Sequence, residues 1–210
     1  MLTKEEFNTV EENPQITDIS LKMLLDFYKE YLVPYKCIMC LENGCEIELE
    51  FPLERFPHLV GIEQVARHSM GTRRFYEEFK DMNGVEGVEN EEITLRSLRQ
   101  LSKNKFNSNK DKIVFFFLLS KIVKISNGDI IVEYNSTQRP YIQDTNYLIY
   151  EESHKAIGHL GLKYSEDSRM YYPNTFLVER KTINTDGLSI ILADGNNLLG
   201  VVSCKLLLKE

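Results

Sequence analysis

Apolar side chains recur at helical spacing near the start of the chain, where Leu21, Leu24, Leu25, Tyr28 and Leu32 fall on one face until Pro34 stops the run. Ahead of them, Thr3 and Glu6 stand at capping-box spacing and open a short helix. The period then falls to two. "CEIELEF" sets Cys45, Ile47, Leu49 and Phe51 on one face and Glu46, Glu48 and Glu50 on the other, directly after Asn43-Gly44, the strongest short-range hairpin signal. A two-residue turn at that dipeptide makes 36–42 the partner strand and points Cys37 and Cys40 to opposite faces. Beyond Pro57 the helical period returns, with Leu59, Ile62, Val65, Ala66 and Met70 as a buried stripe and Gly71 as its stop. His58 then lies in the first turn of that helix.

Residues 81–110 are richer in Asn, Gly, Ser and charge and hold one short amphipathic helix around "EEITLRSLRQL". "DKIVFFFLLSKIV" reads as a buried helix on its length, with a buried strand as the alternative. From Asn127-Gly128 onward the texture is β. "DIIVEY", "NYLIYEE", "KAIGHLGLK", "YPNTFLVER", "GLSIILA" and "LLGVVSCKLLL" are short runs separated by turn signals such as Asp194-Gly195. Helices followed by strands predict an α+β fold: a helical N-terminal half with a small β-hairpin, then a curved antiparallel sheet. The expected organisation is a helix-and-hairpin extension over 1–52 and an α+β domain over 53–210, packed together.

Composition narrows the function. The net charge of −7 opposes binding of duplex nucleic acid through bulk electrostatics, which needs several phosphates neutralised by Lys and Arg. A local basic site remains open in "ARHSMGTRRF", where Arg67, His68, Arg73 and Arg74 cluster with no acid between them; a solvated helix end has the same pattern. Three of the four cysteines crowd into "CIMCLENGC", but sulfurs on opposite strand faces do not converge on a metal, so they read as small reduced hydrophobes. No window approaches the run of about 20 apolar residues that spans a membrane. "MLTKEEFNTVEENP" is too acidic for a signal peptide, so a cytoplasmic protein is expected.

The chemistry-bearing residues sit in three places. In "KAIGHLGLK", strand alternation gives Ala156, Gly158, Leu160 and Leu162 to the core and Ile157, His159, Gly161 and Lys163 to the other face, which Gly161 leaves open to a ligand; an edge strand that tolerates polar residues fits equally. "YYPNTF" supplies the hydroxyls of Tyr172 and Thr175, with Pro173 marking the start or edge of its strand, and Arg169 adds fixed charge nearby. His58 suits a general base, because the positive end of a helix dipole disfavours imidazolium; a packed histidine filling a first-turn slot fits the same position. Together these are the groups a metal-independent ribonuclease needs: a base for the 2′-hydroxyl, an acid for the 5′-oxygen, and a cation for the charged phosphate. No Gly-rich phosphate loop, zinc helix, serine elbow or Cys/His pair occurs, and no cofactor is implied.

"FPHLVGI" (56–62), "HLGL" (159–162) and "YYPNTF" (171–176), in that order, resemble the phage-associated nuclease-like domains grouped with barnase, EndoU, colicin and RelE toxins of phages and mobile elements in Gram-positive bacteria. The resemblance covers roughly residues 50–185 and leaves the cysteine hairpin outside it. It implies a helical half followed by a curved antiparallel sheet whose open face holds the site, and points to His58, His159, Tyr172 and Thr175, with Lys163 added by the strand-face argument. Thr175 stands where Ser is as common, which keeps the hydroxyl. Two readings follow. One is a metal-independent RNA endonuclease, a toxin or host-takeover factor, whose RNA phosphates meet Arg67, Arg73, Arg74 and Arg169. The other is a non-catalytic protein of a mobile element that keeps the fold and engages a cognate immunity or host protein.

Overall fold

The computed structural model describes all residues except 12, 136–141, 143, 193–194 and 210. The chain forms two compact units, each assembled from two separate stretches: Met1–Val33 with Pro52–Phe117, and Pro34–Phe51 with Leu118–Glu210. The hairpin that follows the first helices thus belongs with the distant C-terminal strands. Among the described residues no helix is long and apolar enough to cross a membrane.

The first unit is helical: α1 (Lys4–Asn8), α2 (Leu21–Tyr31), α3 (Phe56–Val60), α4 (Ile62–Arg67), α5 (Thr72–Glu78), α6 (Asp81–Glu89), α7 (Leu95–Leu101) and α8 (Lys103–Val114). Thr3 caps α1 through the expected capping box. Ser20 caps α2, whose predicted stripe is buried throughout. The core is aromatic, with Phe7 edge-on to Phe27 (centroids 5.3 Å apart) and Phe56 edge-on to Phe116 (5.9 Å). Such pairs add about 0.5–1.5 kcal/mol beyond their buried area. The hydroxyl of Tyr28, inside this cluster, donates to the Pro52 carbonyl at 3.1 Å, and burial raises its pKa well above the ordinary value. "DKIVFFFLLSKIV" is not one helix. α8 ends at Val114, the three phenylalanines form a turn, and α9 (Leu118–Ile122) belongs to the second unit.

In the second unit the expected curved sheet is a closed barrel. Its strands are β1 (Tyr35–Leu41), β2 (Glu46–Glu50), β3 (Ile130–Glu133), β4 (Tyr147–Glu152), β5 (Ala156–Ser165), β6 (Met170–Arg180) and β7 (Asn197–Leu208), in the order β1-β2-β6-β5-β4-β3-β7. The hairpin closes the ring: β1 pairs antiparallel with β7, and β2 meets β6 in a parallel bridge at Leu49 and Tyr171. Closure removes the edges that would invite foreign strands. The β1–β2 register departs from a two-residue turn. Leu41 N–H donates to Cys45 O and Gly44 N–H to Leu41 O, and Gly44 is left-handed (φ 83°), so the loop has three residues with a glycine bulge. Asn43 does not take the positive φ that a type I′ turn requires at both central positions. Cys37 faces inward and Cys40 outward, as the alternation implies.

"GLSIILA" is not a strand. Its described residues turn irregularly and bury Ile190 and Ile191 against Leu148, Ile157, Tyr150 and Leu177 on the barrel. Asp194 of the Asp194-Gly195 turn signal lies outside the described residues.

Candidate functional site

His58 belongs to the helical unit; His159, Lys163, Tyr172 and Thr175 belong to the barrel. Each group has its own geometry.

Pro57 starts α3, and Gly61, left-handed at φ 95°, ends it after five residues and starts α4. The side chain of Asn109 packs at 3.0 Å from where a Gly61 Cβ would stand, so only glycine fits this break. The break carries the chain round so that Glu63, five residues on, meets His58: Nδ1 lies 3.0 Å from Glu63 Oε2. The Glu63 side chain is 11% exposed and that of His58 33%. Glu63 Oε1 also accepts from the Asp81 N–H at 3.3 Å, where α6 begins. A nearly buried carboxylate therefore holds one ring nitrogen and turns the other edge of the imidazole outward. This is the arrangement that orients a general base. The five-residue α3 offers little dipole for the role assigned to it from sequence. Glu63 belongs to no motif in the sequence; the signal for it is Gly61, which brings position i+5 onto the histidine.

The basic stretch is largely neutralised. Arg73 Nε pairs with Glu77 at 2.8 Å and Arg74 Nε with Glu78 at 2.9 Å, each one turn along α5. The neutralising acids follow the cluster instead of interrupting it. Arg67 is exposed at the end of α4, and Arg169 is exposed in the β5–β6 turn with φ 57°.

On the barrel, β5 and β6 pair His159 with Leu177, Gly161 with Thr175 and Lys163 with Tyr172. Tyr172 and Thr175 are three apart and would fall on opposite faces of a regular strand. A register shift between Gly161 and Leu162, with Pro173 opposite Leu162, brings both onto the face of His159 and Lys163. Pro173 thus sits at a bulge inside β6, not at the strand start.

The face is not the open one expected. His159 is fully buried; Nε2 lies 3.1 Å from Glu179 Oε2 at ion-pair distance but out of hydrogen-bond alignment, and Nδ1 has no hydrogen-bond partner among the described residues. Glu179 in turn accepts from the Ser189 hydroxyl and from the Ile190 N–H at 3.2 Å, so the carboxylate staples the irregular segment over the histidine. Burial raises the Glu179 pKa, but the approach of His159 and bonds from Ser189 and Ile190 outweigh it and leave the carboxyl below its ordinary value. Gly161 opens no ligand path either, because an added Cβ would stand 2.7 Å from Thr175 Cγ2 and 3.0 Å from Thr145 Oγ1. Thr175 and Leu177 in the middle of the face are half-buried, as is the far end, where Lys163, 3.2 Å from Asp144 Oδ2, stands opposite half-buried Tyr172. Among the described residues no group of His, Cys, Asp and Glu is placed to hold a metal ion.

A protein-family profile described as "phage-Barnase-EndoU-ColicinE5/D-RelE like nuclease4" matches residues 20–193. The chain belongs to this nuclease-like family. The match takes in α2 and the cysteine hairpin, which the three motifs had left outside the resemblance. No curated protein and no solved structure matches the chain.

Proposed function

We propose that this family member is an endonuclease that cleaves RNA without a metal ion, through attack of a 2′-hydroxyl on the adjacent phosphate. The His58–Glu63 pair carries the reading. Glu63 fixes Nδ1 as a donor and leaves Nε2 to take the 2′-hydroxyl proton. The new bond forms from the 2′-oxygen to phosphorus, the bond to the 5′-oxygen breaks, and that oxygen departs with a proton from solvent, leaving a 2′,3′-cyclic phosphate. Lys163, Tyr172 and Thr175 are assigned phosphate contacts along the strand, as are exposed Arg67 and Arg169. Arg73 and Arg74, already paired, contribute less. His159 is a positioning residue that holds Glu179. We place the activity in a cytoplasmic toxin or host-takeover factor of a phage or mobile element, with a cognate immunity or host protein as its partner.

The test is cleavage of total and structured RNAs in the presence of chelator. His58→Ala is expected to lower the rate about a hundredfold or more, the cost of losing one positioned base. No cleavage above that variant would overturn the enzyme reading. A second reading, a non-catalytic interaction protein, is favoured by the complete burial of His159, which denies a family-motif residue any contact with substrate. It predicts a stoichiometric protein partner recovered from host lysate and no RNA cleavage.

A further inference from the structure

Three tyrosines gather where the barrel interior runs out. Along β5 the positions facing the core are Leu160, Leu162 and then Tyr164, and Tyr164 stands opposite Tyr171 on β6. Tyr147 on β4 stands opposite Leu162, and Tyr171 meets the interior residue Leu49 across the β2–β6 bridge. The rings touch: Tyr164 to Tyr171 at 5.2 Å between centroids and 59°, Tyr147 to Tyr171 at 5.6 Å and 68°. Tyr147 is buried, whereas Tyr164 and Tyr171 are half-buried. The aromatic cluster therefore begins inside the core and ends at the surface, its rings tilted or edge-on to one another. Burial raises the Tyr147 pKa to about 12 and lifts that of Tyr171 as well, so these two rings stay neutral at physiological pH.

A partly exposed aromatic cluster in an acidic protein is poorly suited to phosphate and well suited to the face of a nucleobase. The charges around it agree. The connecting turn carries Glu166 and Asp167 as well as Arg169, and Lys163 lies against Asp144. Stacking is tolerant of sequence and worth about 1–3 kcal/mol per base, and it requires a base that is free of a duplex.

We propose that Tyr164 and Tyr171, backed by Tyr147, form a stacking site for an unpaired base of a single-stranded RNA. The inference rests on the RNA reading above and names its substrate class: single strands and loops, held more by base faces than by phosphates.

The experiment uses a fluorescent 2′-O-methyl oligonucleotide, which lacks the attacking hydroxyl and is bound but not cut by this chemistry. A matched abasic oligonucleotide and a blunt RNA duplex serve as comparisons. Fluorescence anisotropy is expected to show the base-bearing strand binding about tenfold or more tighter than either comparison, with a salt dependence equivalent to about three phosphates or fewer. Tyr164→Leu, which keeps bulk but removes the π face, should lose about tenfold, and Tyr164→Phe should keep wild-type affinity. Equal binding of the abasic strand, a steep salt slope, or Tyr164→Leu binding as tightly as wild type overturns the stacking site. RNA cleavage that persists alongside such a result leaves the nuclease reading standing. Stacking without cleavage of ordinary RNA removes the nuclease reading and keeps this one.

Discussion

Gly84, inside α6, sets two effects of one methyl group against each other. Replacing a helical glycine with alanine gains about 1 kcal/mol of helix propensity. A Cβ at Gly84, however, would stand 2.4 Å from the Phe79 carbonyl oxygen and 2.9 Å from Pro57 Cγ, against the 3.0 Å below which Cβ contacts essentially never fall. The first obstacle is backbone and the second a closed ring beside His58, so neither yields by rotating a side chain. Overpacking of this kind costs about 1–3 kcal/mol, and the rigid obstacles put it at the upper end. Gly84→Ala is therefore predicted to lose about 1–2 kcal/mol net, a fall in the Tm of the helical unit of about 2–8 °C for a protein of this size. Gly87 supplies the internal control. It lies one turn further along the same helix with the same propensity gain, but its Cβ would meet Cδ1 and Cγ1 of the buried Ile93 side chain at 2.7 and 2.9 Å, atoms that rotation can shift where backbone cannot. Gly87→Ala should therefore lose less stability than Gly84→Ala. The assay is thermal unfolding followed by far-UV circular dichroism. A Gly84→Ala protein as stable as wild type, or a Gly87→Ala protein less stable than Gly84→Ala, would refute the reasoning.

Glu63→Gln keeps the shape of the carboxylate but not its charge; cleavage should drop about tenfold in kcat with KM nearly unchanged, since a positioning residue acts on the base and not on substrate binding. A rise in KM alone would contradict that role. Glu179 has a folded pKa below its unfolded value of about 4.5, so its contribution to stability is present above that pH and lost as pH falls through the lower folded value. Glu179→Gln should accordingly flatten the acid limb of a denaturant-midpoint profile. Burial lowers the Lys112 amine from 10.5 to about 8, so between those values the unfolded chain binds more protons and stability rises with pH. Lys112→Met should abolish that rise in the same measurement. Arg74→Ala should leave the denaturant midpoint unchanged within error, because the exposed pair with Glu78 is screened by solvent and worth little.

What could be read from the residues followed how local the determining contacts were. Thr3 with Glu6, the stripe from Leu21 to Leu32, and the alternation through Ile47 and Leu49 each depend on neighbours in the chain, and each forms the element it implies. Barrel closure depends on Leu49 meeting Tyr171 and on Tyr35 meeting Leu208, pairings that no periodicity encodes. "GLSIILA" has strand composition, but its Ile190 N–H is taken by the Glu179 carboxylate and its isoleucines by a hydrophobic patch. At the candidate site the same division holds. The place of His58 in α3 follows from Pro57, whereas its partner Glu63 depends on a left-handed break at Gly61 that bends one predicted helix into two. Tyr172 and Thr175 share a face only because of the bulge, which shifts one of them across the strand.

The pairing of β1 with β7 also orders events in time. Translation proceeds at about 5–20 residues per second, and domains fold as their parts emerge. β1 and β2 leave the ribosome early, yet their neighbours in the ring, β7 and β6, are made after the whole helical stretch and three further strands. Throughout that interval the nascent chain carries an unclosed ribbon and no barrel. Any activity that draws on the finished ring stays silent until β7 has been made.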